Sequence, residues 1–133
     1  MKSDKKLIES IIAKLNKDHP KAKLVTTKTG LRYVVTQAGA GEKVGKGRKI
    51  KAHYTGTFLN GKKFDSSRDG GKPFEFTVGV DPVIKGWVEA LSDMKKGERR
   101  ILIVPPDLAY GPRGRPGIPP HATLIFDVEL IDF

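Results

Sequence analysis

Cysteine does not occur in the 133 residues of this chain. Disulfides, thiolate nucleophiles and cysteine-ligated zinc are therefore excluded, and both reducing and oxidising compartments stay open, with the cytoplasm as the default expectation. Long apolar runs are missing as well. None approaches the roughly 20 residues of a bilayer-crossing helix, so no membrane span is expected. The basic N-terminus lacks the continuous apolar stretch and small-residue cleavage site of a signal peptide. Histidine is sparse: His19, His53 and His121 are scattered without ligand-like spacing, which argues against a metal site. No serine occupies a nucleophile elbow. Gly39, Gly41, Gly45 and Gly47 fit neither G-x-G-x-x-G nor G-K-[ST], so they read as a flexible or tightly turned connection rather than a phosphate loop.

Acidic residues are also outnumbered, 15 against 25 Lys and Arg, for a formal net charge of +10. Residues 1–23 hold seven lysines against Asp4, Glu9 and Asp18. Elsewhere the excess is spread, with no basic run longer than Lys95-Lys96 or Arg99-Arg100. Such a surface favours acidic partners at low salt. Clustered arginines and an aromatic stacking platform are not legible, so no specific nucleic-acid partner is expected. A weak affinity falling steeply with salt would mark that alternative.

One stretch reads as a short helix in a chain otherwise made of strands and turns: Val83-Ile84-Lys85-Gly86-Trp87-Val88-Glu89-Ala90-Leu91. Asp81 suits the N-cap and Pro82 the first helical position. Val83, Ile84, Trp87, Val88 and Leu91 recur at helical spacing, and Lys95, Lys96 and Gly97 offer a basic last turn and a glycine stop. A second helix opens the chain, capped by Ser3 or Asp4, with an apolar stripe of Leu7, Ile8, Ile11, Ile12 and Leu15. It ends near Asn16 to His19, because Pro20 disfavours helical geometry in the residue before it. Alone it would be marginal in water, so its stripe needs the domain's own sheet, a second copy or another protein. The domain's own sheet is the first expectation, and a dimer or partner contact the alternative. Residues 1–23 are thus read as a helical extension and 24–133 as one domain.

Residues 20–30 read as a polar link and Leu31 to Val35 as a strand. In the next strand Ile50, Ala52 and Tyr54 share one face, and Lys51, His53 and Thr55 the other, surface-directed one. Asn60-Gly61 between Phe58 and Phe64 is a hairpin signal. Asp65 to Gly71 is a polar excursion before a strand over Pro73 to Val78. Arg99 to Val104 is another strand, and residues 107–121 are a loop rich in proline and glycine. The last strand turns Leu124, Phe126, Val128 and Leu130 inward and Asp127 and Glu129 into solvent. Antiparallel strands, one central helix and no βαβ rhythm indicate an α+β half-barrel or curved sheet.

Chemistry concentrates in rings. Tyr54, Phe64, Phe74, Phe76, Trp87, Tyr110 and Phe126 are either plain core or, beside Val83 and Ile84, the walls of a concave apolar pocket. Asp65 follows Phe64 at a strand end in the same neighbourhood. Six motifs then stand in order: Tyr54-Thr55-Gly56, Lys63-Phe64-Asp65-Ser66-Ser67, Pro73-Phe74, Val83-Ile84-Lys85-Gly86-Trp87, Ala109-Tyr110-Gly111, and Ile118-Pro119-Pro120-His121-Ala122-Thr123-Leu124. Over about residues 31–133 the chain closely resembles the FKBP family of macrolide-binding peptidyl-prolyl cis-trans isomerases.

That resemblance implies a curved antiparallel sheet wrapped on the central helix, with a pocket between them. Tyr54, Phe64, Asp65, Trp87, Tyr110 and Phe126 would be its catalytic residues, Trp87 as floor, with Asp65 and the Tyr110 hydroxyl as polar contacts. Phe74, Val83, Ile84 and Ile118 would bind substrate, the Ile84 N–H holding a ligand carbonyl and Ile118 sitting in a flap loop. No cofactor is implied. The implied partners are proline-containing peptides and protein clients, with tacrolimus and rapamycin as inhibitors. The flap departs from the family pattern by having one apolar residue fewer before the paired prolines and by carrying Arg113 and Arg115. A chaperone insertion found in some members is missing from it. A module that holds partners in the same pocket without turnover is the competing reading.

Overall fold

A computed structural model of the protein describes residues 4–133. The chain runs α1 (Asp4–Asp18), β1 (Val25–Thr26), β2 (Arg32–Gln37), β3 (Ala40–Lys43), β4 (Lys49–Phe58), β5 (Lys63–Ser66), β6 (Phe74–Thr77), α2 (Lys85–Ser92), β7 (Lys95–Lys96), β8 (Arg99–Val104), a 3-10 turn (Pro106–Leu108) and β9 (Leu124–Asp132). One antiparallel sheet has the order β1-β2-β8-β9-β4-β5, and β6 pairs with the start of β4. The inward alternation of β9 is as its sequence reads: Leu124, Phe126, Val128 and Leu130 are buried.

The sheet bends along β4. Its first half pairs with β6, from Lys49 opposite Thr77 to Ala52 opposite Phe74. Its second half pairs with β5, from Thr55 opposite Ser66. Between them the Tyr54 backbone would lack a partner on that edge, and Ser67 supplies one. The Ser67 hydroxyl accepts from the Tyr54 N–H at 2.8 Å, and the Ser67 N–H donates to the Tyr54 carbonyl at 3.0 Å. The Ser66-Ser67 pair thereby fixes the strand where Tyr54 enters the concave face.

That face buries Ile50, Ala52, Leu102, Val104, Phe126 and Val128 against Trp87, Ala90, Leu91 and Met94. Gly86 lets α2 approach closely, because a Cβ there would lie 2.7 Å from Val104 Cγ1. Overpacking costs about 1–3 kcal/mol, and the helix-propensity gain of about 1 kcal/mol offsets only part of it. Gly86→Ala is therefore expected to lower stability by up to about 2 kcal/mol in urea unfolding, against the usual gain from alanine in a helix.

The outer face of the sheet carries α1. Leu15 is buried with Val34 and Ile103, and Ile11, Ile12, Ala22, Leu24, Ile101 and Ile125 pack around them. The stripe thus docks on its own domain. Leu7 and Ile8 are half-buried beyond that cluster. Ser3, one of the two cap candidates, lies outside the described residues, and Asp4 is the acidic residue of the first turn. Among the described residues no helix is long and apolar enough to cross a membrane.

Several local expectations are corrected. The central helix begins at Lys85, with Ile84 as N-cap in extended conformation and no side-chain cap bond. The Asp81 carboxylate instead accepts from the Thr77 N–H at 2.8 Å, closing the turn after β6, so Pro82 to Ile84 lie outside the helix. The helix stops at Ser92, and Lys95-Lys96 is a strand paired with β3 rather than a last turn. Residues 40–43 are thus a strand within the supposed flexible connection, and Val25–Thr26 is one within the polar link. Gly97 does make a turn, at φ 85°, between β7 and β8. Asp127 and Glu129 are not simply solvated, since Arg99 grips Asp127 with two bonds of 2.8 and 2.9 Å and Arg68 pairs with Glu129 at 3.4 Å. His53 is half-buried, its Nδ1 sharing a 3.0 Å hydrogen bond with Ser67 Oγ.

Candidate active site

The concave face, the approach to α2 and the proline-rich loop after β8 enclose a pocket of about 190 Å3. Tyr54, Phe64, Asp65, Phe74, Val83, Ile84, Trp87, Tyr110 and Phe126 line it, together with Pro82 and Arg115. Ile118 is the member of the expected set outside it. It is buried under an adjoining compartment of about 140 Å3, bounded by Phe64, Asp65, Tyr110 and Arg115 from the first pocket and by Pro116 and Gly117. Pro82 escaped sequence reasoning because it fits a helix start equally well. Arg115 was legible only as a basic departure in the loop.

Trp87 is the floor, 5% exposed. Around its ring stand Tyr54 at 4.8 Å, Phe126 at 5.4 Å and Phe74 at 6.0 Å between centroids, each tilted by 67° or more. Edge-to-face packing of this kind presents the electron-rich face of one ring to the positive rim of the next. Phe64 extends the wall, 5.7 Å from Phe126 and nearly perpendicular to it. Both phenyl rings reach β4 because position 56 is glycine, where a Cβ would sit 2.6 Å from Phe64 Cζ and 2.9 Å from Phe126 Cε1. The pocket's depth on that side is set by one missing methyl group.

Polar groups are few and committed. The Tyr54 hydroxyl donates to Asp65 Oδ2 at 2.6 Å, and Asp65 Oδ1 accepts from the Ser66 N–H at 2.9 Å. Burial, and then the Asp65 carboxylate that takes its hydrogen bond, push the Tyr54 hydroxyl well above the ordinary tyrosine value. Tyr54 is therefore held as a neutral donor to Asp65 at neutral pH. At the mouth, the Arg115 guanidinium lies 5.1 Å from the Tyr110 ring centre, and its Nη1 donates to the Tyr110 hydroxyl at 3.4 Å. The extended Ile84 starts α2 by accepting from the Trp87 N–H at 3.0 Å, while its own N–H has no acceptor among the described residues. A ligand carbonyl would complete it.

The flap is a tight structure. Arg115-Pro116-Gly117-Ile118 forms a turn closed by Arg115 N–H to the Ile118 carbonyl at 3.0 Å and Ile118 N–H to the Arg115 carbonyl at 2.8 Å. Proline pre-sets the first central position and Gly117, at φ 85°, supplies the second. Apolar walls, a carboxylate already bonded and an open backbone N–H suit binding and reshaping of an amide flanked by apolar groups. Among the described residues no group of His, Asp and Glu is arranged to hold a metal ion.

The family model for FKBP-type peptidyl-prolyl cis-trans isomerases matches residues 40–131. The chain is 49% identical to FkpA of Escherichia coli K12 over 107 residues, 80% of this chain but 39% of that protein's length. It is 52% identical over 104 residues to Fkbp12 of Drosophila melanogaster, covering 77% of this chain and 96% of the relative. It is 53% identical over 96 residues to an FK506-binding protein of Neisseria meningitidis, 71% of this chain and 88% of the relative. Among solved structures, the chain superposes on AtFKBP13 with a TM-score of 0.76 at 41% identity, over 82% of this chain and 97% of that one. On Escherichia coli FkpA the TM-score is 0.78 at 44% identity, over 93% of this chain and 58% of that one.

Proposed function

The chain belongs to the FKBP-type peptidyl-prolyl cis-trans isomerase family, and we propose that it accelerates rotation about Xaa-Pro bonds in its aromatic pocket. The rotation faces a barrier of about 18–20 kcal/mol, mostly lost amide resonance. No bond to carbon is made or broken, so no nucleophile is required. The planar amide is more polar than the twisted one, and transfer from water into an apolar cradle therefore penalises the ground state more than the transition state. A prolyl ring held over Trp87 between Tyr54, Phe74 and Phe126, with its carbonyl on the Ile84 N–H, leaves the preceding amide free to twist. Interactions that tighten on the twisted form lower the barrier by differential binding. Asp65 and Tyr54 hold one another and orient the wall, and neither moves a proton. The observation that carries this reading is the four-ring cradle on a buried tryptophan beside an unbonded backbone N–H.

A relative named for FK506 binding supports macrolides as occupants of the same pocket. The test is isomerisation of a short Leu-Pro peptide in a protease-free assay, with and without rapamycin. Acceleration abolished by rapamycin is expected. Tight macrolide binding without acceleration would instead describe a module that holds partners without turnover.

A further inference from the structure

Arg115 has no part in the rotation chemistry, yet it borders both compartments. The two-bond Pro116-Gly117 turn holds its backbone, and stacking on Tyr110 holds its guanidinium at the pocket mouth. Among the described residues it makes no ion pair. A guanidinium has five N–H donors in a planar fork, and the bond to the Tyr110 hydroxyl uses one of them. The neighbouring Asp65 forms no ion pair with it, and its two oxygens accept from Tyr54 and Ser66 instead. The adjoining compartment shares Phe64, Asp65, Tyr110 and Arg115 with the pocket, so a chain that sets proline over Trp87 has this space beside the fork open to its neighbouring residue.

We propose that Arg115 makes the site select Xaa-Pro bonds in which the residue before proline is acidic, its carboxylate taken by the guanidinium. This rests on the isomerase reading above and adds its substrate class. Arginine matches a carboxylate with two parallel bonds, whereas a glutamine side chain of the same shape brings no charge. The site is open to water, so the gain is that of an exposed pair, roughly threefold to fivefold. Salt screens it.

Four peptides differing only before proline, with Leu, Gln, Glu or Lys, would be compared by kcat/KM for the parent, Arg115→Gln, Arg115→Lys and Arg115→Glu. Ratios within each protein cancel any general effect of the substitution. In the parent, Glu-Pro over Gln-Pro is expected near threefold to fivefold, declining toward one at about 1 M salt. The ratio is expected to fall to about one in Arg115→Gln, to survive in part in Arg115→Lys, and to invert in favour of Lys-Pro in Arg115→Glu. An equal Glu-to-Gln ratio in the parent and Arg115→Gln, with Leu-Pro still accelerated, would overturn the selectivity and leave the isomerase reading standing. No acceleration of any peptide by the parent would overturn the isomerase reading and this inference together.

Discussion

Phe64→Ala is expected to lower kcat/KM toward a Leu-Pro peptide by roughly tenfold to a hundredfold, at 1.4 kcal/mol per decade. The ring forms the wall shared by the two compartments and packs on Phe58 at 4.9 Å and Phe126 at 5.7 Å. An aromatic side chain contributes about 1.5–3 kcal/mol by burial, and here the partner that completes its burial is the substrate itself. The folded state loses less, because Phe64 is only half-buried without a ligand. Parallel urea unfolding should therefore show a smaller loss than the kinetics, and Phe64→Leu should recover part of the activity. Parent-like kcat/KM in the alanine variant would remove Phe64 from the site.

Glu98→Ala should cost stability rather than chemistry, about 3 kcal/mol in urea unfolding. Glu98 and Arg100 are 5% and 4% exposed, and Arg100 Nε donates to Glu98 in a short charge-assisted bond. Removing one partner of a buried pair strands the other, at about 3–5 kcal/mol. The lower end applies because Arg100 keeps the Asp93 carboxylate at 2.9 Å and the Tyr33 ring at 4.1 Å. Arg100→Met strands the buried Glu98 carboxylate, whose remaining hydrogen bond comes from the Lys95 N–H, and should cost at least as much as Glu98→Ala. A smaller loss in Arg100→Met than in Glu98→Ala would show that Glu98 tolerates burial without the guanidinium.

The same cluster gives the stability a defined acid limit. Burial alone would raise the Asp93 carboxyl, but hydrogen bonds from Lys43 and Arg100 and their charges more than offset this and hold it below the ordinary carboxylate value. A group with a lowered folded pKa contributes above its unfolded value and loses that contribution as pH falls through the folded one. Asp93 thus supports a plateau above about pH 4 and a decline below it.

Much of this site could be read from the chain because its residues lie on regular elements. Phe126 sits in a strand whose alternation names its own inward face, and Phe64 follows an Asn-Gly hairpin signal, at the bulge where the register of β4 and β5 shifts. The start of α2 is not legible because Asp81 and Pro82 satisfy capping rules locally, whereas in the folded chain Ile84 is extended and Asp81 closes a turn. β3 and β7 are too short and carry too few apolar residues for any alternation to be visible. Glu98 and Arg100 look like surface charges because their inward direction and mutual pairing exist only once α2 lies over β8. Arg115 stood out by type, but its place at the pocket mouth needed the Pro116-Gly117 turn.

That turn also decides when the flap's conformational entropy is lost. A loop that orders only around its ligand subtracts the freezing of its backbone from every association, about 1–2 kcal/mol per residue. Here proline, glycine and two backbone hydrogen bonds fix the segment as the domain folds. The loss falls on the folding equilibrium, and an incoming ligand meets a wall already in place.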